Sequence, residues 1–138
     1  MITYENYVGR WKDSKDLTPQ IVGNIERKLL PAINSFLSFL KERNISLEIN
    51  PSTGTLVSGA TYGGFRPQDC PIGASRSNHK MGLAVDIYDP SEEIDTFCLK
   101  NLSVLEEFGL YLEHPSATKG WCHLQVKAPR SGNRVFYP

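Results

Sequence analysis

The residues with the clearest chemical potential lie in the run SNHKMGLAVDIYD, Ser77 to Asp89, which offers His79 and Asp86 as ligands for a divalent metal. A second imidazole, His123 in GWCHLQV, completes a set of two histidines and one carboxylate. Three protein ligands that leave one tetrahedral position open suit hydrolytic zinc chemistry, whereas a closed structural site usually carries four. Imidazole and carboxylate also accept other transition ions, so ligand type alone points to zinc without requiring it.

Those ligands need a scaffold. LAVDIY reads as a buried strand, with Leu83, Val85 and Ile87 on one face and Ala84, Asp86 and Tyr88 on the other. His79 and Asp86 are seven positions apart, which would set them on opposite faces of a straight strand, so Gly82 is expected to bend the chain and bring them together. On the last strand Trp121, His123 and Gln125 share a face, and Gln125 is a candidate to contact a ligand or the substrate.

Elsewhere the pattern alternates helices and short strands. Thr18 and Pro19 form an N-cap and first-turn proline ahead of Ile25, Leu29, Ile33, Phe36, Leu37 and Leu40, with Pro31 expected to kink or divide the helix. ISLEI (45–49) and LVSGA (56–60) read as strands, the second delivering Gly63, Gly64 and Arg66 to a long surface loop over 63–78. Ser91 is expected to cap an acidic-started helix running to Gly109, followed by the strand GLYLEH, the connection HPSATKG and the antiparallel partner WCHLQV. The tail APRSGNRVFYP is basic and proline-bounded.

The 138 residues suit one domain, 1–138, with a helical part at about 1–44 and the sheet and metal site at about 45–138. A formal net charge of +0 gives no basic stripe for nucleic acid, and no run approaches a membrane span. The start lacks an apolar signal-peptide core, which points to synthesis in the cytoplasm. Cys70, Cys98 and Cys122 are odd in number and unpaired in spacing, so buried thiols are expected instead of a disulfide framework.

The arrangement resembles the zinc D,D-peptidases, which include D-alanyl-D-alanine carboxypeptidases, phage cell-wall endopeptidases and the hedgehog-like domain. Ser77, His79, Gly82, Ala84, Val85 and Asp86 match the family signature, His123 matches its later ligand, and Arg66 in GGFRP matches its upstream arginine, from about Val57 to Val126. The resemblance implies an α+β fold with helices packed on a small, mainly antiparallel sheet. It implies a Zn²⁺ cofactor held by His79, Asp86 and His123, and Arg66 holding the substrate carbonyl or the developing oxyanion.

The implied substrate is the peptide part of bacterial peptidoglycan, cut by a monomeric D,D-carboxypeptidase or cross-link endopeptidase of the endolysin kind, acting in the periplasm or at the wall. Many members carry Glu or Asp three residues before the last histidine, where this chain has Gly120. The general base must then come from elsewhere, with Glu113 favoured and His114 its competitor, as base or as a metal ligand replacing His123. Otherwise the domain is a non-catalytic zinc-binding module of the same fold.

Overall fold

The computed structural model describes residues 1–72 and 77–138, so the 73–76 part of the expected surface loop lies outside the described residues. Helix α1 (Tyr4–Val8) opens the chain, capped by Thr3 in a reciprocal capping box with Asn6. Helix α2 (Pro19–Asn24) begins as the sequence implies, the Thr18 hydroxyl accepting from the Ile21 amide with Pro19 in the first turn. Its continuation α3 (Leu30–Glu42) is reached through a single wider π-helical turn at Ile25–Leu29. Proline has no N–H to donate and its ring crowds the preceding turn, and the widened turn precedes Pro31 directly, so the chain stays helical through the proline.

One face of this long helical segment supplies Ile25, Leu29, Ile33, Phe36, Leu37 and Leu40 to the core. Opposite it lies a sheet of β1 (Ala84–Tyr88), β2 (Tyr111–Glu113), β3 (Trp121–Gln125) and β4 (Val135–Phe136), in spatial order β1-β3-β2-β4. The pairs β1–β3 and β2–β3 are antiparallel, as a mainly antiparallel sheet requires, while the short β2–β4 pair is parallel and makes the sheet mixed. Val85, Ile87, Leu112, Cys122 and Leu124 join the core from its buried face. Helix and sheet thus form a mixed α/β arrangement, and no described helix is long and apolar enough to cross a membrane.

Three local expectations change. Residues 45–49 and 56–60 form no strands; only isolated bridges, Asn50 with Thr55 and Val57 with Ile87, occur there. Over the second segment the reason is competition from short polar side chains. Asn50 Nδ2 donates to the carbonyls of Val57 and Ser58, and Thr55 Oγ1 accepts from the Val57 amide, so these backbone groups are used before a ladder extends. The segment still flanks β1, with Ser58 N donating to Asp86 O and Tyr88 N to Leu56 O.

The helix expected over 91–108 is two helices, α4 (Glu93–Lys100) and α5 (Leu102–Glu107), divided at Asn101. Its start is held by Asp89 in place of Ser91: the two carboxylate oxygens accept from the amides of Ile94 and Asp95 at 3.1 and 3.0 Å. Glu92 occupies the N-cap position with φ +58° and no side-chain cap bond.

Candidate metal centre

The antiparallel register of β1 and β3 makes Asp86 and His123 direct cross-strand partners, so their side chains rise from the same face. His79 comes to that face from the tight turn before β1. Gly82 in that turn has φ +72°, and a Cβ there would lie 2.8 Å from Ile25 Cγ1, so both backbone and packing require glycine. Asn24 Nδ2 ties the turn to α2 through Met81 O at 2.9 Å, and Ser77 Oγ accepts from the His79 amide.

Three ligand atoms converge. Asp86 Oδ1 lies 2.9 Å from His123 Nδ1 and 3.3 Å from His79 Nε2, and the two imidazole nitrogens are 3.3 Å apart. All three residues are buried. Ligands about 2.0–2.1 Å from a tetrahedral ion stand about 3.3 Å from one another, so a zinc-sized ion suits this triangle with only a small opening of its shortest edge.

The hydrogen bonds decide which nitrogens are free. Gly64 O, which can only accept, lies 2.9 Å from His79 Nδ1, so that nitrogen carries the proton and Nε2 presents a lone pair. Gln125 Nε2 donates to Lys127 O at 2.7 Å, which turns Gln125 Oε1 to His123 Nε2 at 2.8 Å. His123 therefore donates from Nε2 and presents Nδ1 as a lone pair. In these neutral tautomers two imidazole lone pairs and a carboxylate oxygen face one another in a buried space, an arrangement that requires a shared cation, either a proton or a metal ion.

The electrostatics agree. Burial by itself would raise the Asp86 carboxyl, but the His79 and His123 rings outweigh it and hold Asp86 well below the usual carboxylate range. Burial lowers the His123 imidazole, and the hydrogen bond and charge of Asp86 outweigh this to raise it. Arg66 Nη2 takes the other Asp86 oxygen, Oδ2, at 3.4 Å, while Arg66 Nε donates to Tyr62 O at 2.9 Å. Oδ1 is thereby left to the imidazoles.

No family model, curated protein or solved structure matches this chain. The resemblance to zinc D,D-peptidases accordingly rests on sequence motifs alone.

Of the two candidate bases, Glu113 turns toward the cluster. Its Oε1 is 3.9 Å from His123 Nδ1, and burial, partly offset by the His123 charge, pushes its carboxyl up. His114 turns away: its Nδ1 accepts from the Ser116 amide, and its ring stacks on Tyr137 with centroids 4.6 Å apart. The structure thus gathers Arg66, His79, Asp86, Glu113 and His123 around one cavity of about 400 Å³ and leaves His114 outside its lining. Cys122, next to His123, points into the core on the other face of the sheet.

Two contributors escaped the sequence reading. Phe136 of β4 stands edge-on to the His123 ring, with centroids 6.0 Å apart, closing one side of the cavity. The Gln125 link to Lys127 O that sets the His123 tautomer depends on a side-chain rotamer, and no spacing rule reports it. The apolar run Val135 to Tyr137 in a basic tail was the available signal for Phe136.

Proposed function

We propose that the protein is a zinc-dependent peptidase acting on the peptide part of bacterial peptidoglycan. The observation that carries the metal is the meeting of three lone-pair atoms in a buried cavity, with each imidazole's other nitrogen already committed to an acceptor. The substrate class follows from the resemblance in Ser77, His79, Gly82, Asp86 and His123. When bound, zinc would supply a Lewis acid that brings the pKa of water to about 7.

The chain's own residues supply the rest. Arg66, anchored by Asp86 and Tyr62 O, places a fixed positive charge beside the ligands, where it would stabilise the oxygen of the attacked carbonyl. Glu113, with its raised carboxyl, would take the proton from the attacking water and return it to the leaving amine as the C–N bond breaks. On this reading Glu113 of β2 would do the work of the carboxylate that the family pattern has at the position of Gly120, and its 3.9 Å approach to His123 Nδ1 supports that role.

A second reading, a non-catalytic zinc-binding module, is favoured by Gly120 itself, because the usual carboxylate position is empty of side chain. Mass spectrometry of peptidoglycan fragments incubated with zinc-loaded protein separates the two. Loss of a terminal D-Ala or an opened cross-link, absent with His79→Ala, supports the peptidase. Unchanged fragments with zinc bound support the module.

A further inference from the structure

Lys80 is a buried cation that the proposed chemistry does not use. It is 5% exposed, and its ammonium donates to Gln68 O and Cys70 O, each at 3.0 Å. Among the described residues no carboxylate lies within ion-pair distance of it. Taking an ammonium out of water is costly unless its donors are met, and here backbone carbonyls meet two of the three. An apolar side chain would fill the same space at lower cost, so the two bonds themselves are the feature to explain.

The carbonyls that Lys80 holds belong to the loop that carries Arg66. From Gly64 to Cys70 every second residue gives a backbone group to the dipeptide His79–Lys80. Gly64 O faces His79 Nδ1 at 2.9 Å, Arg66 N donates to His79 O at 3.3 Å, and Gln68 O and Cys70 O accept from Lys80 Nζ. Beyond Pro67 the chain turns, with Cys70 N donating to Pro67 O at 3.0 Å, and Lys80 ties that turn to the side of the metal ligand. On the opposite side Phe65 N donates to Tyr7 O at 3.2 Å and Gln68 N to Asp16 Oδ2 at 2.8 Å. The loop is thus gripped between the N-terminal segment and the His79 turn.

The Arg66 side chain depends on that grip. Its Nε bond to Tyr62 O is internal to the loop, and its Nη2 contact with Asp86 Oδ2 is long for a hydrogen bond at 3.4 Å. The guanidinium therefore moves with the backbone that carries it. We infer that Lys80 is a positioning residue, whose ammonium fixes the Gln68–Cys70 turn and through it sets where Arg66 stands beside Asp86. This deepens the peptidase proposal and rests on it for what Arg66 does to the substrate, while the placement itself is read without turnover.

The test compares three zinc-loaded full chains: the unaltered protein, Lys80→Met, which keeps an apolar stem, and Lys80→Arg, which keeps the charge and donors for the two carbonyls. Arg66 is followed by the NMR signal of its ¹⁵Nε–H group, assigned by its loss in Arg66→Ala, and hydrolysis by turnover of soluble muropeptides. Lys80→Met should fold and keep zinc, with the Arg66 signal displaced or broadened. Its kcat should fall by about 10–100-fold with KM little changed, the scale expected when a reacting group is misplaced by about 1 Å. Lys80→Arg should restore both signal and rate. An Arg66 signal unmoved in Lys80→Met overturns the inference. So does loss of the fold, which would make Lys80 a general support, or a loss of zinc that matches the loss of rate, which would place its effect on His79. A moved signal together with no hydrolysis by the unaltered chain upholds the placement and overturns the peptidase reading.

Discussion

Asp86 and His123 face each other as direct partners across β1 and β3, with Asp86 Oδ1 2.9 Å from His123 Nδ1. Two strand residues with no sequence proximity are thus placed at ligand spacing by backbone register alone, and His79 is added by one tight turn. Any change that shifts this register or straightens that turn should act on the metal before it acts on the chemistry.

Gln125 gives the most specific test of the tautomer argument. Gln125→Ala removes the acceptor that holds the His123 Nε2 proton, so zinc affinity should fall by about 10–100-fold, as for other groups that orient a metal-binding histidine. Gln125→Glu keeps an acceptor and should retain more affinity. Competition titration with a chromophoric chelator reads both, and equal affinity in all three proteins would exclude the orienting role.

Gly82→Ala should lower stability by about 1–3 kcal/mol, because φ +72° disfavours a side chain and the added carbon meets Ile25. Since the same turn carries His79, zinc affinity should drop as well. Chemical denaturation with and without zinc measures both; an unchanged midpoint would show that the turn relaxes freely.

Glu113→Gln should leave zinc binding nearly intact while slowing hydrolysis by about 10²–10⁴-fold, the usual range for a lost acid–base group. Because burial raises the Glu113 carboxyl, the rate in the unaltered protein should climb as pH rises through that raised value. The substitution should remove this limb from the pH profile. A retained limb would assign the titration to another group.

Asp95 supplies a prediction away from the site. It is buried behind β3 near Cys122, Thr118, Asp89 and Glu92, and burial pushes its carboxyl up to about 7. The folded state then holds a proton that the unfolded chain releases near pH 4, so stability declines as pH rises from about 4 to about 7. Asp95→Asn should raise the thermal midpoint by several degrees at pH 8 and change it little at pH 4. Equal effects at both pH values would refute the buried-acid explanation.

The clustering of His79, Asp86 and His123 was legible in residue type and spacing: Asp86 and His123 are polar residues on strands otherwise supplying Val85, Ile87 and Leu124 to the core, and Gly82 marks the turn that brings His79 to them. The α2–α3 core stripe was visible for the same reason, since periodicity survives a single widened turn. What failed was local competition. Asn50, Thr53 and Thr55 took backbone groups of Val57 and Ser58 that LVSGA needed for a strand, and Asp89 reached forward to cap a helix that Ser91 stood closer to. β4 was hidden because it has two residues and is recruited by its parallel pairing with β2.

The most direct measurement is metal content at equilibrium. Dialysis of the full chain against buffered zinc, followed by elemental analysis, should find one tightly held ion per chain, lost in His79→Ala, Asp86→Ala and His123→Ala and released on acidification as the imidazoles protonate. Zinc held equally well by all three variants, or no zinc held by the unaltered protein, would contradict the assignment of His79, Asp86 and His123 as its ligands.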